Sequence, residues 1–277
     1  MSTYTEYDVT ATRYETTRVP VGTNVIVGCL TRCGRPPGEL RVLDAGSGTG
    51  AYAKALAGRV GRIVALDPSD GMLRVARRTL RAAERGGRLT LIRGRVQSFP
   101  FADRSFDAVM FNQVLHHLET GEDADYPGHR RALEEAYRVL GPGGVVVISA
   151  CSQEQLEGGF WYYHLIPEAV ARVRRRCIPF DRLEDMLSAA GFAAYERIVA
   201  PDAVLQGAAY FDPTGPLRAA WRAGDSVWEL VTPAELKRAL AKVRQLARRR
   251  ELSAYFARCD AARPRVGQVT FLSASRI

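Results

Sequence analysis

The distribution of apolar positions divides the chain into two rhythms. From Arg41 to Ser149, short apolar runs alternate with amphipathic stretches. The runs are Arg41–Asp44, Arg62–Asp67, Arg88–Arg93, Phe106–Phe111 and Val145–Ser149. Each is four to six residues long and reads as a buried strand. Between them, Ala51–Ala57, about Asp70 to Glu84, and about Arg130 to Leu140 carry helical spacing. Gly141–Gly144 then breaks the last of these helices. Upstream, residues 1–20 are polar with scattered tyrosines, Val21–Leu30 reads as a helix, and Cys33–Gly38 interrupts it.

Strands separated by helices at this interval predict right-handed crossovers and a mainly parallel sheet. The expected fold is α/β: a Rossmann-like, seven-stranded, mainly parallel sheet with helices on both faces. After residue 150 the rhythm changes. A helix is predicted from Phe180 to Ala190, a sixth strand at Ala193–Val199, a helical stretch from about Pro233 to Asp260, and a last strand at Gly267–Ser275. The long excursion between the final two strands predicts a helical cap, formed with the segment after strand five. The organisation expected is an arm and helix over 1–40, a cofactor core over 41–150, a cap with remaining core elements over 151–266, and a closing strand over 267–277.

Composition adds constraints. The 277 residues are 47% hydrophobic and 25% charged, which suits a globular core and excludes a disordered or collagen-like chain. The longest apolar run, Gly143–Ala150, falls far short of the ~20 residues of a bilayer span. The N-terminus has neither a basic nor an apolar leader region, so a cytoplasmic protein is expected. The net charge of +9 invites a nucleic-acid partner. Of the 39 basic residues, however, only Lys54, Lys237 and Lys242 are lysine, and the arginines are spread along the whole chain. That pattern fits biased composition better than a binding surface, so nucleic acid is not expected. The helix with Arg244, Arg248, Arg249 and Arg250 is read as a solvated face. Five cysteines, only Cys29 and Cys33 close together, lack a partner pair at zinc spacing, and free thiols with no metal are expected.

In an open parallel sheet the ligand sits beyond the carboxyl ends of the strands. The residues there are Val42-Leu-Asp-Ala-Gly-Ser-Gly-Thr-Gly50 after strand one. Glycines at Gly46, Gly48 and Gly50 let backbone N–H groups approach a polar ligand without an intervening Cβ. Gly46, Gly48 and Ala51 also satisfy a loose dinucleotide pattern. Asp44 before the glycines and the third glycine at Gly50 instead favour a single nucleoside carrying a short zwitterion, with no pyrophosphate. Asp67, closing strand two, can accept hydrogen bonds from both hydroxyls of a ribose. Its alternative task, capping the next helix, is contested by Ser69 and Asp70.

Four ordered segments resemble one family. D-A-G-S-G-T-G from Asp44, A-L-D-P-S-D-G-M-L from Ala65, F-D-A-V-M-F-N-Q-V-L-H-H-L from Phe106, and A-Y-R-V-L-G-P-G-G-V from Ala136 are together similar to class I S-adenosylmethionine-dependent methyltransferases. The branch they resemble is the ubiquinone/menaquinone-biosynthesis group, which includes natural-product enzymes. The resemblance implies S-adenosyl-L-methionine as cofactor. It implies that Gly46, Ser47, Gly48 and Gly50, with Asp44 beneath, hold the methionine part, Asp67 and Pro68 the ribose, and Met72 the adenine. An aspartate usually contacts the adenine in the family's third motif. Arg95 stands there instead, which leaves backbone at Val96, or Gln97, for that contact. Asn112 and Gln113 follow strand four, on the cofactor's carboxylate or sulfonium side. Tyr14 and Tyr7 on the arm are placed over the cofactor and the substrate, as in related enzymes. No D/N-P-P-Y/F motif is present, which disfavours exocyclic base amines and glutamine amides.

The expected activity is methyl transfer to a small, largely apolar or aromatic molecule at oxygen, carbon or nitrogen, in specialised metabolism. The cap carries the aromatic run Phe160–His164, of which Trp161, Tyr162, Tyr163 and His164 are candidate substrate contacts. Tyr210, Phe211, Trp221 and Trp228 are further candidates. His164, the only cap histidine, is the candidate base. His117 of the H-H pair is a second candidate catalytic and substrate contact. Alternatives are a thiol-dependent arsenite methyltransferase, a nicotinamide oxidoreductase, and a cofactor-bound cyclase that transfers no methyl group. The oligomeric state stays open, a homodimer included.

Overall fold

A computed structural model describes residues 19–118 and 125–277. Tyr7 and Tyr14 lie outside the described residues. Seven strands form one sheet: β1 Arg41–Ala45, β2 Arg62–Asp67, β3 Leu89–Arg93, β4 Phe106–Asn112, β5 Leu140–Ala150, β6 Phe192–Val199 and β7 Thr270–Arg276. Their order is β3-β2-β1-β4-β5-β7-β6. β1 to β5 are parallel, and β7 is antiparallel to both β5 and β6. The chain reverses its direction of travel across the sheet between β1 and β4, which opens a crevice at their carboxyl ends.

The strands read as continuous apolar runs because both faces are covered. Successive residues face opposite layers. Leu43, Val64, Val109 and Val146 enter one core, with the helices Pro127–Val139 and Phe180–Ala189. Val42, Ile63, Ala108 and Val145 enter the other, with the helices Thr23–Leu30 and Ala51–Leu56. A third apolar cluster belongs to the cap. It joins Leu156–Val173 to Tyr210, Trp221, Val227, Val243 and Tyr255. Among the described residues no helix is long and apolar enough to cross a membrane.

Three elements depart from expectation. The helix from Asp70 ends at Thr79, and a second short helix spans Arg81–Arg85. Leu80 between them turns into the core over Gly50. The Pro233–Asp260 stretch is two helices, Pro233–Arg248 and Leu252–Asp260. Arg250 takes a left-handed φ of 60°, Arg250 N donates to Ala247 O at 3.1 Å, and Glu251 N donates to Leu246 O at 2.9 Å. These two bonds are those of a Schellman stop, with arginine where glycine is usual. Third, Gly141–Gly144 does not precede β5 but bulges within it, between the pairs Phe106–Leu140 and Ala108–Val145.

Candidate active site

The crevice begins with the turn after β1. Gly46 N and Ser47 N both donate to Leu66 O, at 2.8 and 2.9 Å, and Gly50 N closes on Ser47 O at 2.9 Å. Gly46, Gly48 and Gly50 have φ of 78°, 54° and 80°. Side chains are disfavoured there on backbone grounds alone. A Cβ at Gly46 would also stand 2.7 Å from a Val114 methyl, and one at Gly50 would stand 2.5 Å from Leu80 Cδ1. At Gly48 a Cβ would meet nothing within 4 Å, because that face opens into a cavity.

Asp67 ends β2 with one oxygen accepting from Gly48 N at 2.8 Å and the other from Ser69 N at 2.9 Å. Helix capping falls to Ser69, whose hydroxyl accepts from Met72 N. Burial raises the Asp67 pKa, partly offset by the two backbone bonds. Asp44, the penultimate residue of β1, is fully buried and accepts from Asn112 Nδ2 at 3.2 Å. Burial and the neighbouring Asp67 charge push its pKa up to about 7, against the Asn112 bond. The site therefore holds two desolvated carboxylates that a cationic ligand would stabilise in their ionised forms.

Two cavities adjoin at this edge. The larger, about 220 Å³, is lined by Gly46, Ser47, Gly48, Asp67, Pro68, Met72, Arg95, Val96, Gln97, Asn112, Gln113 and His117. It gathers the residues expected from the first four strand ends, with Tyr52 and Pro20 in addition. Gly50 and Asp44 stand behind it and shape the turn. The smaller, about 60 Å³, lies under the cap and is lined by His116, Cys151, Phe160, Tyr162, Tyr163, Cys177, Gln206 and Asp225, among others. Gln113 and Leu205 line both. Gln113 has a left-handed φ of 56°, a strained backbone for a residue other than glycine.

The cap residues separate by role. Tyr162 and Tyr163 donate to Asp225 Oδ2 at 2.5 and 3.0 Å. Burial, with the Asp225 charge next, raises both tyrosine pKa values well above the ordinary range. Trp161 is fully buried but lines neither cavity, because its ring packs against Tyr162, Trp221 and Phe256. Its Nε1 donates to Tyr210 O at 3.0 Å. Of the further candidates, Tyr210, Trp221 and Trp228 are cap core, and Phe211 is 48% exposed.

His164 is not brought to the site. It is exposed and lines neither cavity, and partial burial with the nearby Lys242 and Arg258 charges lowers its pKa. The helical turn that buries Trp161, Tyr162, Tyr163 and Leu165 leaves position 164 outward. His116 and His117 sit on the turn after β4 with ring centroids 4.0 Å apart, one in each cavity. Sequence reasoning passed over His116, Gln206 and Asp225. The first was in plain view in the H-H pair, whereas nothing local marks the other two.

Residues 43–148 match a family described as a methyltransferase domain. The demethylmenaquinone methyltransferase of Clavibacter sepedonicus is 36% identical over 141 residues, covering 51% of this chain and 53% of that protein. The chain spans about half the length of the first curated relatives it matches. The demethylmenaquinone methyltransferase of Symbiobacterium thermophilum is 31% identical over 182 residues, covering 56% of this chain and 69% of that protein. The chain belongs to the class I S-adenosylmethionine-dependent methyltransferases. Within them it is of the ubiquinone/menaquinone-biosynthesis type. The chain shares its fold with a solved protein assigned as a methyltransferase of an antibiotic biosynthesis pathway in Anabaena variabilis. The TM-score is 0.70 at 20% identity, with 93% of this chain and 98% of that chain covered.

S-adenosylmethionine is the cofactor of the family, and the larger cavity fits it. Ser47 Oγ and Asp44 Oδ2 are buried there or just beneath, with no hydrogen-bond partner among the described residues. Gly48 faces open space, and the two carboxylates suit a ligand with cationic centres.

Proposed function

We propose that this protein transfers a methyl group from S-adenosylmethionine to a small, largely apolar or aromatic molecule seated under the cap. The observation that carries the reading is the meeting of the two cavities at Gln113 and Leu205. A cofactor in the larger would face an acceptor in the smaller. The turn Gly46–Gly50 with Ser47 and Asn112 would hold the amino-acid end, Asp67 the ribose hydroxyls, and Met72, Val96 and Gln97 the adenine.

When bound, S-adenosylmethionine supplies an electrophilic methyl carbon on a cationic sulfur. The chain's own contribution is position and dryness. Phe160, Tyr162, Tyr163 and Leu156 wall the acceptor space with apolar surface, which excludes water and confines the nucleophile. An acceptor hydroxyl must surrender its proton. His116 lines the acceptor cavity and is the base of this reading, while His117 lies on the cofactor side.

The demethylmenaquinone methyltransferases and the antibiotic-pathway protein act within the synthesis of small organic molecules, by their names. They support an acceptor of that class, including one in specialised metabolism. Calorimetric titration with S-adenosylhomocysteine tests the cofactor half, with one saturable micromolar site expected. Incubation with methyl-labelled S-adenosylmethionine and neutral aromatic acceptors tests the rest. S-adenosylhomocysteine must accumulate together with label in the organic extract. Cofactor binding without S-adenosylhomocysteine formation would favour the cyclase alternative.

A further inference from the structure

The cap cavity carries a polar signature of its own. Gln206 is 6% exposed, and its Nε2 donates to Trp221 O at 3.4 Å, which fixes the amide's orientation. Gln206 lines the cavity, and among the described residues its buried Oε1 has no partner. Gln113 places its Oε1 3.8 Å from the Cys151 thiol, whose nearer acceptor is Gln268 O at 3.2 Å, and among the described residues its Nε2 has no partner. One wall thus offers a lone acceptor and another a lone donor. Buried polar atoms without partners are unfavourable until a ligand meets them.

Charge narrows the ligand further. The chain has 39 lysines and arginines, and among the described residues none lines this cavity. An anionic group would enter apolar surroundings with no counter-charge. Asp225 is the single carboxylate there. Its Oδ2 is taken by Tyr162 and Tyr163, and its Oδ1 accepts from Val227 N at 3.0 Å. These three bonds tie it into the cap wall.

We infer that the acceptor is a molecule without negative charge that has a hydroxyl or N–H donor at one end and a carbonyl-type acceptor at the other, gripped by Gln206 Oε1 and Gln113 Nε2. This rests on the cap cavity being the acceptor site of the proposed methyl transfer. The two amides select the molecule by complementary polarity. A ligand lacking either group leaves one amide unmatched, and one that is anionic loses its hydration without return.

The test titrates four probes into protein saturated with S-adenosylhomocysteine: 4-hydroxyacetophenone, acetophenone, 4-ethylphenol and 4-hydroxybenzoate. The first is expected to bind about tenfold or more tighter than each of the others. Gln206→Leu should abolish the advantage conferred by the hydroxyl while keeping that of the ketone, and Gln113→Leu should do the reverse. Equal affinities for all four probes, tight binding of the benzoate, no probe binding at all, or increments that survive both substitutions would each overturn the inference. Titration of S-adenosylhomocysteine alone is run beside it for the unmodified protein and both variants. Failure of the unmodified protein to bind S-adenosylhomocysteine counts against the cofactor reading itself. Loss of that binding in Gln113→Leu, with the ketone increment intact, would assign Gln113 to the cofactor and overturn its half of the inference.

Discussion

Replacing Asp67 with alanine removes four hydrogen bonds in the liganded protein. Two are the bonds from Gly48 N and Ser69 N, at 2.8 and 2.9 Å. The other two are those expected from the ribose hydroxyls. A hydrogen bond to a charged acceptor contributes about 1.5–3 kcal/mol, so the diol accounts for roughly 3–6 kcal/mol of binding. At 1.4 kcal/mol per decade, cofactor affinity should fall by about 10²–10⁴. The Gly48 and Ser69 amides would also lose their acceptors and loosen the turn, which adds to the loss. Asp67→Asn separates these contributions. It keeps one carbonyl oxygen but turns an NH₂ group toward one of the two backbone N–H donors, so an intermediate loss is expected. The assay is calorimetry with S-adenosylhomocysteine, paired with circular dichroism to show that each variant is folded. A folded Asp67→Ala protein that binds within about fivefold of the original would refute the ribose assignment.

Three further outcomes follow from the geometry. Asp44 has a folded pKa of about 7, above that of an unfolded aspartate, so its contribution favours the ligand-free fold at acidic pH and fades as pH rises through 7. Thermal melts from pH 5 to 8 should show the original protein losing stability relative to Asp44→Asn, and parallel curves would contradict this. Gly46→Ala combines a left-handed φ of 78° with a Cβ 2.7 Å from Val114. A loss of about 2–5 kcal/mol in urea unfolding is expected, with weakened cofactor binding. Tyr210→Phe deletes the hydroxyl that donates to Asp260 and accepts from Trp161 N at 3.2 Å, while Asp260 keeps Arg263 at 3.0 Å. The cap should lose about 1–3 kcal/mol in chemical denaturation, and an unchanged midpoint would show that this network is dispensable.

The sheet was legible because its strands are short, doubly buried and punctuated by glycines, which are local signals. The placement of Asp67 and of the Gly46–Gly50 turn at the strand ends was legible for the same reason, since one strand–turn–helix–strand unit contains them. The stop at Arg250 was not, because an arginine occupies the left-handed position and nothing in Arg248–Glu251 interrupts helical spacing. The bulge in β5 was hidden because Gly141-Pro-Gly-Gly144 reads as a terminator, whereas here the sheet resumes on both sides of it. The cap cavity was least legible. Its walls come from the turn after β4, the helices after β5, and two loops near residues 205 and 225, which meet only in three dimensions. His164 was expected at the cavity, which His116 lines instead, for the same reason. Uniqueness in the cap is a sequence property, but orientation on a single helical turn depends on what packs beneath it.

Val199, the last residue of β6, pairs directly with Thr270, the first of β7. The intervening 200–269 stretch therefore departs from and returns to a single rung of the ladder, so its length is not fixed by the register of the sheet. Gln206 and Asp225 both ride on that detour. A change of length there would reshape the walls near residues 205 and 225 while the Gly46–Gly50 turn stays in place.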